Sequence, residues 1–197
     1  RHATATRADV GTSKAHALRD ALVRINPEAE IEAIVEVFNA TSVERVLSAA
    51  TELVIDAIDD LPTKALLLRS CFHRELRVLC ALGAGGKASA TQLCVARLTE
   101  VKADPIARSL RMLLHEAKLA EPTLDTRCWW ETLDQEIVGV YSWEIQSASL
   151  LPVPDSVDSA AELGTQPNFR VRVLPVLPPV PAAFGAELAA RALLMLG

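Results

Sequence analysis

The segment Leu53-Val54-Ile55-Asp56-Ala57-Ile58-Asp59-Asp60 constrains the fold of this chain most. A short continuous apolar run ends in three acids, and Pro62 follows at the head of a helical pattern. Parallel strands buried on both faces read as runs of this kind. Open α/β sheets bind their ligands at the carboxyl ends of such strands. Carboxylates placed there suit Mg2+ held against nucleotide phosphates, because this hard ion takes a few oxygen ligands plus the phosphates themselves. The same acids also suit a plain strand-to-helix loop that caps the next helix. On the segment alone, both readings stand.

Around this segment helical and strand patterns alternate. Residues 12–25 predict a helix capped by Thr12 or Ser13, with Ala15, Leu18, Leu22 and Ile25 at helical spacing and Asn26-Pro27 at its end. Residues 30–38 alternate acidic and apolar positions and predict a strand, and Asn39 opens a helix through Ala49. After the strand at 53–57 come a helix over 62–76, with Ala65, Leu66, Leu68 and Phe72 facing inward, and a strand over 77–82. Further strands are expected at 91–98, 137–141 and 169–174, and a helix at 104–119. Residues 120–136, with Trp129 and Trp130, read as an insertion loop, and 151–168 as a flexible proline-rich linker. Four prolines in 175–181 predict an extended crossing, followed by an apolar helix over 183–196. Helix–strand alternation of this kind predicts parallel βαβ units.

Half of the 197 residues are hydrophobic and 23% are charged, enough to build a core. The net charge of -5 gives no global basic footprint for nucleic acid and leaves room only for a local patch. Cys71, Cys80, Cys94 and Cys128 form no Cys-x-x-Cys pair, so neither a zinc ribbon nor a disulfide framework is predicted. They read as small apolar residues of a reduced, intracellular protein. His2, His16, His73 and His115 are scattered without metal-ligand spacing. No apolar run approaches the roughly 20 residues of a membrane span.

Two further motifs bear on chemistry. Gly83-Ala84-Gly85-Gly86-Lys87 follows a strand, as phosphate loops do, but Ala88 follows the lysine and the spacing is not that of a Walker loop. It reads as a tight turn between strands. Arg1 and Lys14 flank Gly11 at the start of a helix, where cations oppose the dipole. A bound polyphosphate would account for them, and so would a solvated surface pair.

Taken in order, the motifs match a known pattern. Arg1-His-Ala-Thr-Ala-Thr and Asp9-Val10-Gly11-Thr12-Ser13-Lys14 resemble an Asn-Arg-Gln and Val-Gly-x-x-Lys region, Ile25-Asn26-Pro27 the next landmark, and Val54 to Asp60 a strand-end acid motif. These belong to the ThiF/MoeB enzymes, the ubiquitin-activating-enzyme-like adenylyltransferases. Gly83 to Lys87, Asp104-Pro105-Ile-Ala-Arg108-Ser-Leu-Arg111, Val140-Tyr-Ser-Trp-Glu144 and Phe169-Arg-Val-Arg-Val-Leu-Pro175 resemble the tRNA threonylcarbamoyladenosine dehydratases within that superfamily, closest to the eukaryotic, fungal-type branch.

The resemblance implies a Rossmann-like α/β ThiF/MoeB fold. This chain would be its C-terminal portion, a single domain over 1–197 with a mostly parallel sheet plus added strands. It implies an ATP-dependent cyclisation of threonylcarbamoyladenosine in tRNA through an adenylated carboxylate. Asp59 would hold Mg2+, Arg1 and Lys14 would contact ATP phosphates, and Asp56 is a further cofactor-binding candidate. On charge and position alone, apart from the resemblance, Lys87, Arg108 and Arg111 would meet the tRNA backbone. A homodimer without zinc is implied, cytoplasmic or at the mitochondrial outer membrane, the latter only through an N-terminal segment outside this chain. The family's Gly-x-Gly-Gly-x-Gly loop and ribose-binding acid belong ahead of Arg1, so the chain alone is expected to bind ATP weakly. Pro178 stands where the family has glycine, and Trp143 is unusual for its slot. Two alternatives remain. One is activation of a ubiquitin-like or sulfur-carrier protein, for which Cys128 is the loop cysteine. The other is an inactive scaffold subunit of the same fold.

Overall fold

Four strands build one sheet: β1 (Leu53–Asp56), β2 (Arg77–Ala81), β3 (Leu93–Arg97) and β4 (Ile137–Ser142), in the order β1-β2-β4-β3. The computed structural model describes residues 4–120, 137–145 and 175–197. The pairs β1–β2 and β2–β4 are parallel and β3–β4 is antiparallel, the mostly parallel α/β sheet that the sequence predicts. The register places Asp56 beside Cys80, and Cys80 beside Gly139. Side chains alternate across a strand, so Asp56 and Cys80 point to one face while Ile55 and Leu79 point to the other.

The chain divides into two units, Arg1–Ser48 and Ala49–Gly197. In the first, α1 (Lys14–Ile25) starts where expected, with Ser13 Oγ accepting the His16 N–H at 3.3 Å. Two expectations fail there. Residues 30–38 form no ladder among the described residues and leave Val35 and Val37 exposed. An alternating pattern needs a hydrogen-bonded neighbour before it becomes a strand. The helix expected from Asn39 shrinks to α2 (Val43–Val46). Asn39 Oδ1 accepts from Thr41 N–H at 2.9 Å and from Ser42 N–H at 3.1 Å, a local turn that competes with helix.

The second unit holds the sheet. On one face lies α3 (Leu61–His73), with α4 (Pro105–Ala120) packed against it. On the other lies α5 (Pro179–Leu196), whose Val180, Phe184, Leu188 and Ala192 repeat every fourth residue and bury with Leu79 and Val140. The prolines do not forbid this helix, contrary to the sequence reading. Pro179 and Pro181 fall in its first turn, where backbone N–H groups have no intrahelical partner. Pro178 serves as N-cap at φ -51°, within the range a proline ring allows, so it fits the slot where the family has glycine. By length and composition α5 is long and apolar enough to cross a membrane, which a search for unbroken apolar runs misses. Its buried stripe nevertheless packs on the sheet.

The expected inward face of α3 is also shifted. Lys64, Leu67, Leu68 and Cys71 are buried, whereas Ala65, Leu66 and Phe72 are only half-buried. The insertion loop beyond Ala120, the linker, the strand at 169–174 and Cys128 lie outside the described residues.

Phe184 anchors the α5 side of the core at 3% exposure, while Leu194 on the same helix is 76% exposed. Phe184→Ala is expected to destabilise by about 3–5 kcal/mol. Leu194→Ala is expected to stay within about 0.5 kcal/mol of wild type. Urea denaturation checks both.

Candidate functional site

The three acids at the carboxyl end of β1 have three different fates. Asp56 is fully buried. Its Oδ1 accepts the Ile58 N–H at 3.0 Å, and its Oδ2 accepts Lys64 Nζ at 2.7 Å and the Cys80 thiol at 3.2 Å. Asp60 caps α3, its Oδ2 accepting Thr63 N–H at 3.0 Å and Thr63 Oγ1 at 2.6 Å. Asp59, between them, is exposed at the carboxyl end of the parallel strand. The loop therefore both caps a helix and presents one carboxylate to solvent.

Asp56 is thus removed from the set of cofactor ligands by its burial. An ionised carboxylate at zero exposure needs a paired cation, and Lys64, itself 1% exposed, is that partner. Nothing in the inward pattern read from sequence singles out Lys64. The available signal is the helix phase: with Asp60 as N-cap, positions 64, 67, 68 and 71 share one face.

Asp59 fits a Mg2+ ligand by donor type and location. Among the described residues no three His, Cys, Asp or Glu side chains gather into a metal cluster. An ion at Asp59 would draw its other ligands from phosphates and water, as Mg2+ commonly does. Lys14 is exposed at the first position of α1 in the first unit, and Arg1 lies outside the described residues.

The glycine turn is filled by protein carboxylates. Gly83 N–H donates to Asp104 Oδ2 at 3.1 Å, and Asp104 Oδ1 caps α4 by accepting the Ala107 N–H at 3.0 Å. A Cβ at Gly83 would sit 3.0 Å from Asp104 Oδ2, so a side chain there would press on the carboxylate that accepts its N–H. Glu144 accepts from Ala88 N–H at 3.0 Å and Ser89 N–H at 2.9 Å. The Ser89 and Ala88 amides, with help from the Lys87 charge, hold its carboxyl below the usual range. Gly86, at φ 69°, donates its N–H to Pro175 O. The Gly83, Gly86, Ala88 and Ser89 amides thus have partners within the chain itself.

Two of the three cations expected to meet a nucleic-acid backbone are used internally. Lys87 is 3% exposed and donates to the Ser142 and Glu144 carbonyls. Arg111 Nη1 donates to Leu98 O at 2.7 Å and Val101 O at 2.8 Å, holding the turn before α4. Arg108 is exposed.

Comparison with known proteins assigns the chain. The sequence profile of the ThiF family matches residues 1–196. The chain belongs to the ThiF family. It is 32% identical over 193 residues, 94% of its length, to tRNA threonylcarbamoyladenosine dehydratase 2 of Saccharomyces cerevisiae. It is 33% identical over 107 residues to the Escherichia coli enzyme named tRNA threonylcarbamoyladenosine dehydratase. This ThiF-family chain spans 40% of the length of each of these relatives. The E. coli tRNA N6-threonylcarbamoyladenosine dehydratase, solved in complex with ATP, shares the fold at a TM-score of 0.69 and 24% identity, over 98% of this chain and 70% of that one.

Burial pushes the Cys71 thiol up to about 12, with the Asp56 charge adding to the rise and Arg74 opposing it. An unfolded thiol titrates near 9.0. The neutral thiol therefore favours the fold below pH 9, and that contribution falls away as pH rises toward 12. Stability measured across this window is expected to fall, and Cys71→Ala to remove one proton's share of the slope, about 1.4 kcal/mol per pH unit at most.

Proposed function

We propose that this ThiF-family chain carries part of the adenylation site of a tRNA threonylcarbamoyladenosine dehydratase. The observation that carries the reading is Asp59, the one exposed acid among three at the carboxyl end of a parallel strand. The names of the relatives support the substrate, and the ATP complex of the E. coli enzyme supports the nucleotide.

In this reading the threonyl carboxylate of the modified nucleoside attacks the α-phosphorus of ATP and pyrophosphate leaves. The carbamoyl oxygen then attacks the acyl-adenylate carbonyl, AMP leaves, and the ring closes with the net loss of water. Phosphoryl and acyl steps of this kind depend on orientation and on neutralising developing charge. Asp59 would hold Mg2+, which supplies that neutralisation at the phosphates. Lys14 and Arg1 would add positive charge along them. Asp56 takes no part in ligation, because Lys64 holds it. Arg108 remains for the tRNA backbone. A homodimer belongs to the same proposal.

The test uses the protein expressed from its complete reading frame, with ATP, Mg2+ and tRNA bearing threonylcarbamoyladenosine. Nucleoside analysis is expected to show cyclised product and stoichiometric AMP. Asp59→Asn is expected to lower kcat/KM by about 10²–10³-fold, the usual cost of losing one group that stabilises developing charge. A variant with near wild-type turnover would contradict the assignment.

A further inference from the structure

The backbone from Asp56 to Lys64 is closed into a ring by side chains. Asp56 begins it at the end of β1 and takes the Ile58 amide on one carboxylate oxygen. Asp60 fixes the far side by capping α3. The first turn of α3 then returns Lys64 to the other oxygen of Asp56 at 2.7 Å. Asp59 lies on this ring, next to the amide that Asp56 holds. We propose that Lys64 is a positioning residue for the Asp59 carboxylate: it locks Asp56, and Asp56 locks the turn from which Asp59 projects. The proposal rests on Asp59 being a Mg2+ ligand.

Three observations carry it. The first is depth. Lys64 and Asp56 are 1% and 0% exposed, and charges so placed must be held in a fixed geometry to be tolerated. The second is that Asp56 divides its two oxygens between backbone and cation. An apolar pair of the same volume would fill the space between β1 and α3, but it could not accept the Ile58 amide. The third is the Cys80 thiol, which reaches Asp56 from β2 at 3.2 Å and ties the carboxylate to the neighbouring strand as well. Asp56 thus has partners on three elements, while the carboxylate three residues on is left exposed. Ligating groups in metal sites are commonly oriented by such a supporting shell.

The experiment compares wild type, Lys64→Met, Lys64→Arg and Asp59→Asn in the protein from the complete reading frame. AMP formation on tRNA bearing threonylcarbamoyladenosine is followed against Mg2+ concentration. Hydrogen–deuterium exchange of the loop amides is measured without nucleotide or metal. Lys64→Met is expected to raise the Mg2+ concentration for half-maximal rate roughly 10–100-fold, with a smaller fall in rate at saturating Mg2+. The Ile58 to Asp60 amides are expected to exchange on the order of tenfold faster while β2 keeps its protection. Lys64→Arg keeps the charge and the donors and is expected to restore both readouts.

A folded Lys64→Met protein with unchanged Mg2+ dependence and unchanged loop exchange overturns the proposal. If Lys64→Met does not fold, Asp56→Asn/Lys64→Met, which buries no charge, takes its place: a shift in both readouts supports the positioning role, and no shift overturns it. An Asp59→Asn variant with normal Mg2+ dependence overturns the metal reading itself. A shifted Asp59→Asn beside an unshifted Lys64→Met overturns the positioning role alone.

Discussion

The ion pair between Asp56 and Lys64 organises the site end of the sheet. Buried pairs add little net stability, because desolvation consumes most of the Coulombic gain. Breaking one is costly, since the remaining charge has no water to turn to. What the pair supplies is therefore geometry. It fixes the phase of α3 on β1, ties both to β2 through Cys80, and leaves the loop between them only one route. The exposure of Asp59 follows from that route. Of the three acids, one is needed inside, one caps the helix, and the third is free to face a ligand.

The glycine turn shows the same economy with the opposite outcome. Its amides point toward anions, as they do in phosphate loops, but the anions are Asp104 and Glu144 of the chain itself. Asp104 serves the turn and the α4 N-terminus together. Lys87, beneath the turn, binds carbonyls at the end of β4. The turn is thereby a clasp that joins β2, β4 and α4. Phosphate contacts within this unit, in the proposed reading, fall to Asp59 through its ion.

Much of the fold is legible in the sequence because burial leaves a plain pattern. The strands at Leu53, Arg77 and Ile137 are short apolar runs, and the structure pairs them in parallel. The Ser13, Asp60 and Asp104 caps mark helix starts that hold within two residues. The failures have physical causes. Residues 30–38 carry strand periodicity, but a ladder needs a neighbour that local pattern cannot specify. Asn39 satisfies its neighbours' amides with its side chain, so the expected helix starts late. Proline reads as a helix breaker at 179 and 181, yet a first turn tolerates it. In the site, Asp59 is legible from its position after a strand. Lys64 is not, because a lysine enters a core only when a specific partner is already waiting there, and that partner is eight residues away in sequence.

The most direct test of the pair's role is a double-mutant cycle. Asp56→Asn, Lys64→Met and the combined variant are unfolded in urea at neutral pH. Each single change is expected to cost about 3–5 kcal/mol, because each strands a buried group. The double variant is expected to cost less than their sum by at least about 1.5 kcal/mol, since neither charge is then left alone. Additivity within about 0.5 kcal/mol would show that the two side chains do not depend on each other, and would contradict the central role of their pairing.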